Sequence, residues 1–209
     1  MSSSRTSWAL SLVGRCHRAL VFRRRVRVLA DILSGQIPKG ASVLDIGCGD
    51  GTLASLILER RPDISIVGVE FAVRQSCRIP CTSFDGVHLP YADRSFDGCL
   101  FVDVLHHTDD PAILLREASR ISQSFLLVKD HTCENALDNL TLRSMDWVGN
   151  RPHGVRLPYN YQSRRAWRQT FAGCGLKESA WTSDVPLYRF PLSVIVGRGL
   201  HFVALVKKT

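Results

Sequence analysis

A glycine-rich turn constrains this chain more than any other stretch of its sequence. Residues 43–51 read VLDIGCGDG, an apolar run that ends in three alternating glycines and leads into a helical pattern. Glycine has no Cβ, so a ligand can lie against such a turn while N–H groups of the following helix point at it. The turn therefore predicts a strand, a ligand-binding loop and a helix, in that order.

The charges of the turn indicate which kind of ligand fits it. A dinucleotide-binding turn needs a third glycine at the position of Thr52. Asp45 and Asp50 would repel a pyrophosphate, but they suit a ligand that carries an ammonium and a sulfonium group. The turn, including the small residue Cys48, therefore favours S-adenosylmethionine over a dinucleotide.

Two further acids follow the next two apolar strands. Glu70 ends the first of them, where a carboxylate can accept hydrogen bonds from both ribose hydroxyls of a nucleoside. Asp85 follows the second and can accept from the exocyclic amine of adenine. Phe71 and Phe84 are candidates to pack on the adenine face, and the alternative that they are ordinary core residues stays open.

From residue 42 onward, short apolar runs alternate with helical patterns, which predicts a mostly parallel sheet with helices on both faces. The strands expected before the C-terminus are Ser42 to Ile46, Ile64 to Glu70, Cys81 to Ser83, Phe96 to Val102 and Phe125 to Lys129. The helices expected are Gly51 to Arg60, Pro111 to Ile121 and Ser163 to Ala172. Two C-terminal strands, Leu176 to Ser183 and His201 to Lys207, are expected to pair antiparallel.

A polar stretch of residues 130–162 interrupts the alternation. It predicts either a lid over the acceptor or an irregular surface loop. In the first case Arg143, Arg151 and Arg156 are candidates to hold a carboxylate or phosphate. The chain thus divides into a basic helical segment, residues 1–35, and a domain over residues 36–209 that contains this insertion.

Basic residues are concentrated at the N-terminus. Residues 1–30 carry seven arginines and no acid, which leaves 20 basic and 19 acidic residues in the rest of the chain. Enzymes of nucleic acid usually spread basic residues over the binding face, so a small-molecule acceptor is favoured. We expect a cytoplasmic protein. Two other interpretations of this segment stay open, a peripheral contact with an anionic membrane and a mitochondrial presequence.

The cysteines predict neither a disulfide framework nor a metal site. There are seven, an odd number, and no two of them form a CxxC pair. Cys77 and Cys81 lie four residues apart, but no second pair of metal ligands follows them. We therefore expect no bound metal.

These motifs together resemble the small class I S-adenosylmethionine-dependent methyltransferases, of the methyltransferase type 11-like kind related to quinone-biosynthesis enzymes. The resemblance rests on VLDIGCGDG, VGVE at 67–70, Asp85, LPYADRSFDGCLFVDVLHHTDDP at 89–111 and LLREASRI at 114–121. It covers most of residues 40–130 and is looser beyond residue 131. It implies an α/β Rossmann-like sheet of seven strands, in the order 3-2-1-4-5-7-6, with the last strand antiparallel.

The resemblance also implies an activity, transfer of a methyl group from S-adenosylmethionine to oxygen, carbon or nitrogen of a small molecule. Two alternatives stay open, a scaffold protein that has lost catalysis and a nucleic-acid methyltransferase. The residues expected to bind the cofactor are Asp45, Gly47, Cys48, Gly49, Asp50, Gly51, Glu70, Phe71, Asp85, Gly86, Val104 and Leu105.

Three histidines are candidates for a general base. His106 and His107 follow the fourth strand, at the carboxyl edge where ligands bind in open α/β sheets, and His131 reaches the same edge from the fifth. The alternative is that a histidine only caps the loop by bonding Asp109 or Asp110.

Overall fold

The computed structural model describes residues 21–73, 76–150 and 157–209. Within them the strands are β1 Ser42–Ile46, β2 Ser65–Glu70, β3 Cys81–Ser83, β4 Phe96–Val102, β5 Ser122–His131, β6 Leu176–Thr182 and β7 His201–Lys208. The helices are α1 over residues 21–34, α2 Thr52–Arg60, α3 Pro111–Ile121, α4 Ala136–Asn150, α5 Arg164–Gly173 and α6 Leu192–Val196. Every strand and helix expected from the sequence is present, with small shifts at the ends.

The seven strands form one sheet in the order β3-β2-β1-β4-β5-β7-β6. The pairings from β3 through to β5 are parallel, whereas β7 pairs antiparallel with both β5 and β6. The predicted class I methyltransferase topology is therefore confirmed. The strand order reverses between β1 and β4, and the carboxyl ends of these two strands border the crevice in which open α/β sheets bind ligands.

Apolar side chains cover both faces of the sheet. On one face, α3 and α5 pack Leu115 and Trp167 against Leu44 and Phe101. On the other face, α2 and α1 pack over residues such as Val43. Buried on both sides, the central strands read as nearly continuous apolar runs, as parallel strands usually do.

The described part of the basic N-terminal segment belongs to this core. Leu29, Ala30 and Leu33 of α1 are buried in the cluster on the second face, while Arg23 and Arg27 are exposed. The amphipathic pattern thus forms the expected helix, and residues 1–20 lie outside the described part of the chain. No helix in the described part is both long and apolar enough to cross a bilayer.

Part of the polar stretch is a helix and not an irregular loop, because residues 136–150 of it form α4. The polarity of this helix is the reverse of the usual one, with two acids on the buried side and two leucines on the exposed side. Its buried residues include Asp138, Leu142 and Asp146, whereas Leu137 and Leu140 are exposed. A helix that buries acids and exposes leucines gives no amphipathic signal of the usual kind, so the sequence did not predict it.

Candidate active site

The glycine turn is closely packed against the segment that follows β4. Gly47 has φ +75°, and a Cβ at this position would lie 2.6 Å from Cγ2 of Val104. Its N–H donates to the carbonyl of Val69 at 2.8 Å, which ties the turn to β2. Only glycine meets both the left-handed backbone and the close approach, so position 47 has little freedom to change.

Two carboxylates meet at this turn without a cationic partner. Asp45 is only 3% exposed, and burial together with the nearby charge of Glu70 raises the pKa of Asp45 to about 7. Glu70 accepts hydrogen bonds from the N–H of Gly49 at 2.8 Å and from the N–H of Phe71 at 2.9 Å. Among the described residues, no Lys, Arg or His forms an ion pair with either acid. The pair therefore suits a ligand that brings its own positive charge.

The remaining residues of the turn hold its shape. Gly51 donates its N–H to the carbonyl of Cys48 at 3.0 Å, and Asp50 accepts from the N–H of Thr52 at 3.0 Å at the start of α2. The sulfur of Cys48 lies 3.5 Å from that of Cys81. Burial raises the pKa of the Cys48 thiol, so it stays protonated.

The predicted adenine-binding residues lie at the open end of β3. Asp85 is exposed and accepts from the N–H groups of the second and third residues after it, at 2.7 and 2.6 Å, and from the His88 ring at 2.8 Å. Its hydrogen bonds to His88 lower the pKa of Asp85 to about 2, so the carboxylate is charged. Gly86 lies beside the ring of Phe71, which is exposed, and Phe84 packs against the core.

Val104 and Leu105, the two predicted cofactor contacts after β4, lie in different surroundings. Val104 lies against the glycine turn, as described above. Leu105 begins a 3-10 turn, Leu105–His107, and its side chain is fully buried in the core. Its N–H donates to Asp130 at 3.0 Å. Its carbonyl accepts from the N–H and the hydroxyl of Thr108, so the structure gives Leu105 a packing role and does not place it as a cofactor contact.

His106 is held between two acids. It is 2% exposed, with Nδ1 at 2.6 Å from Asp130 and Nε2 at 3.4 Å from Asp146. Burial lowers the pKa of His106, but the surrounding carboxylates, Asp130 foremost, outweigh burial and raise it above its ordinary value. An imidazole in this position is oriented firmly.

The two other candidate histidines have depressed pKa values. His107 is partly buried, with its ring 4.0 Å from that of His106, and burial and the His106 charge lower its pKa. His131 is buried, with Nε2 at 3.4 Å from Asp103, and burial and Lys129 hold its pKa well below the ordinary range. His107 is therefore the least buried of the three, although its Nδ1 is inaccessible to solvent.

A charge cluster that the sequence did not predict lies beside the histidines. Asp103, with φ +57°, forms ion pairs with the buried Lys129 and with Arg25 of α1 at 3.2 Å. His201 of β7 lies 3.4 Å from the Lys129 ammonium. Burial raises the pKa of Asp103, but Lys129 and Arg25 outweigh it and hold the pKa well below the ordinary value. These residues are distant in sequence, so no local pattern could have brought them together.

Residues of the polar stretch cover the histidines. The hydroxyl of Tyr161 donates to Asp146, and its ring stacks 5.8 Å from that of His106. Asn160 donates to the carbonyls of Thr108 and Asp109, both at 3.1 Å. His106 bonds Asp130 and so does not cap the loop through Asp109 or Asp110.

The arginines proposed as an anion clamp are only partly described. The guanidinium of Arg143 lies over the ring of Tyr159, at 4.4 Å from its centroid. Arg151 and Arg156 lie outside the described residues.

Comparison with known proteins supplies an independent line of evidence. A family model described as a methyltransferase domain matches residues 17–178. The 27-O-demethylrifamycin SV methyltransferase of Amycolatopsis mediterranei is 31% identical over 108 residues, which are 44% of this chain and 39% of that protein. The chain thus matches well under half the length of this relative.

Solved structures share the fold at low sequence identity. The Burkholderia thailandensis 1,6-didemethyltoxoflavin-N1-methyltransferase, solved with 1,6-didemethyltoxoflavin and S-adenosylhomocysteine, has a TM-score of 0.65 and 17% identity, over 100% of this chain and 92% of that one. The [4+2]-cyclase SpnF has a TM-score of 0.63 and 16% identity, over 87% and 80% of the two chains. The fold alone therefore hosts more than one reaction.

Proposed function

The chain belongs to the methyltransferase domain family, and on that premise we propose that it transfers a methyl group from S-adenosylmethionine to a small-molecule acceptor. The observation that carries the proposal is the pair of acids at the glycine turn. Asp45 is buried and Glu70 lies beside it, and neither has a cationic partner among the described residues. A ligand with an ammonium and a sulfonium group supplies the missing charge.

The residues present fit this cofactor part by part. Asp45 and the glycine turn would hold its amino-acid end. Each Glu70 oxygen accepts one backbone N–H, and a carboxylate has about four acceptor positions, so capacity remains for ribose hydroxyls. The space beside Gly86 and the exposed Phe71 ring would take the adenine.

When bound, the cofactor supplies an electrophilic methyl carbon on its sulfonium. The contribution of the chain is then to hold the acceptor in line with that carbon at attack distance. The partly buried His107 lies at the carboxyl edge of β4, where it would take the proton that an oxygen or nitrogen acceptor gives up. Val104 separates this region from the turn.

A small molecule is the favoured acceptor class for two reasons. The names of the rifamycin and toxoflavin relatives describe methyl transfer to small molecules. The chain beyond residue 30 is also nearly balanced in charge, unlike a surface that binds phosphates along a nucleic acid.

Calorimetric titration with S-adenosylmethionine and S-adenosylhomocysteine tests the proposal without a known acceptor. We expect micromolar binding by the wild-type chain, loss of binding in Gly47→Arg and Glu70→Ala, and no change in the control Glu59→Ala on exposed helix surface. A folded wild-type chain that binds neither ligand would refute the proposal.

Transfer of a labelled methyl group to a panel of small molecules then tests the reaction itself. Incorporation into at least one acceptor is expected, and incorporation into nucleic acid alone would favour the nucleic-acid alternative. Tight cofactor binding with no transfer to either class would instead support the scaffold alternative.

A further inference from the structure

Three buried side chains from different elements converge at the carboxyl ends of β4 and β5. They are His106 of the 3-10 turn, His131 at the end of β5 and Asp146 of α4, and one potential ligand atom from each lies within 4.8 Å of the others. His106 Nε2 is 3.4 Å from Asp146 Oδ2. That is about the distance between two ligands of a tetrahedral metal whose bonds are about 2.1 Å long.

Two imidazole nitrogens of this cluster lack a hydrogen-bond partner. They are Nε2 of His106 and Nδ1 of His131, both inaccessible to solvent. Buried polar atoms of proteins nearly always have a partner, and an exception calls for an explanation such as an ion. Since the opposite nitrogen of each ring faces a carboxylate, these two atoms are the ones that remain for a ligand bond.

A second layer of groups orients each of the three side chains. Asp130 lies 2.6 Å from Nδ1 of His106, and Asp103 lies 3.4 Å from Nε2 of His131. Tyr161 donates its hydroxyl to Asp146. A metal-bound histidine typically donates its other ring N–H to a carboxylate or carbonyl. The contact of His106 with Asp130 is such a hydrogen bond, whereas the contact of His131 with Asp103 is electrostatic.

From this arrangement we propose that His106, His131 and Asp146 bind one divalent transition-metal ion. Two imidazoles and one carboxylate suit zinc, ferrous iron, manganese or cobalt, whereas magnesium and calcium prefer oxygen ligands alone. Three protein ligands leave at least one coordination position open. Asp103 is paired with Lys129 and Arg25, whereas Asp130 and Asp146 form no ion pair with a Lys or Arg of the described residues and face His106, so the cluster favours added positive charge.

The open position would face the acceptor of the reaction proposed above, and this role rests on that proposal, although metal binding itself does not. A divalent ion there would lower the pKa of a bound hydroxyl group. His107 would take the proton, and the oxygen would then attack the methyl carbon of the cofactor, which leaves as S-adenosylhomocysteine. The site therefore favours an acceptor with a hydroxyl group that can bind a metal.

Titration of the full chain with Co²⁺, after treatment with a chelator, tests the site in the wild-type protein. We expect about one ion per chain at micromolar affinity or better, with the absorption bands of nitrogen and oxygen ligation. Two exchangeable imidazole protons shifted by the ion are expected in the NMR spectrum, one facing Asp130 and one facing Asp103. A thiolate-to-cobalt charge-transfer band would overturn the proposal, because it would place the ion on Cys48, Cys77 and Cys81.

Variants locate the ion independently. His106→Ala and His131→Ala should each weaken Co²⁺ binding by at least about a hundredfold, because outer partners alone commonly contribute 10- to 100-fold. The controls His88→Ala, which removes an exposed histidine, and Cys81→Ser should bind as the wild type does. Unchanged affinity in both site variants, or no binding by the folded wild-type chain, would overturn the proposal. Calorimetry with S-adenosylmethionine on the same samples distinguishes the two proposals. A chain that binds S-adenosylmethionine but no Co²⁺ would refute the metal site and leave the proposed function standing.

Discussion

Replacing Asp45 by Asn should stabilise the folded chain at alkaline pH and weaken its binding of S-adenosylmethionine. The pKa of this buried carboxyl rises from an ordinary value of 3.8 to about 7 in the folded chain, chiefly because burial disfavours the charged form. A carboxyl whose pKa is higher in the folded state adds stability at acidic pH, which is lost as the pH rises towards the folded-state pKa. The loss therefore falls between about pH 4 and about pH 7.

The magnitude follows from the same values. Each pH unit between the two pKa values corresponds to about 1.36 kcal/mol, so the full loss is about 4 kcal/mol. Between pH 5 and pH 8 the wild-type chain should lose about 2 to 3 kcal/mol that the Asp45→Asn variant keeps, because Asn does not titrate. That is a large part of the stability of a typical domain.

Unfolding in urea, followed by tryptophan fluorescence at pH 5 and pH 8, measures this difference, with Asp184→Asn at an exposed position as the control. Calorimetry at pH 8 should show cofactor binding weakened at least tenfold in Asp45→Asn, since the buried negative charge is lost. The reasoning fails if Asp45→Asn and the wild type show the same change in unfolding free energy between the two pH values.

Three further substitutions test the packing around the site. Gly47→Ala should lower cofactor affinity at least tenfold and lower the free energy of unfolding by about 1 to 3 kcal/mol, because its Cβ would lie 2.6 Å from Val104 in a left-handed backbone. The control for calorimetry and urea unfolding is Gly173→Ala, whose new Cβ would meet nothing within 4 Å. Glu70→Gln should bind the cofactor more weakly than the wild type and more tightly than Glu70→Ala in calorimetry, because the amide keeps one acceptor oxygen. Trp167→Ala should cost about 3 to 5 kcal/mol in urea unfolding, since the indole is fully buried, and a loss below 1 kcal/mol would contradict the packing described here.

The sequence predicted the helices whose ends are set by neighbouring residues. Pro111 begins α3, as expected of a residue that lacks an N–H at the first helical position, and Asp110 accepts a hydrogen bond from the first turn. Ser163 caps α5 in the same way. By contrast, α4 was missed because it buries Asp138 and Asp146, the second against His106, and exposes Leu137 and Leu140. The narrower relation to quinone-biosynthesis enzymes, the cytoplasmic location and the membrane contact stay predictions.

The cofactor side of this protein could be predicted from the sequence, because the glycine turn and its acids are close together in the chain or follow successive strands. Backbone conformation and strand order are enough to place such residues at one edge. The arrangement of the acceptor side could not be predicted and depends on how distant elements pack. There α1, the segment after β4, β5, α4 and β7 each supply one or two polar groups, such as the partly buried Arg25 and Asp103 and the buried Asp146 and His201. Groups this far apart in sequence meet only when the elements pack, and burial then sets their charges.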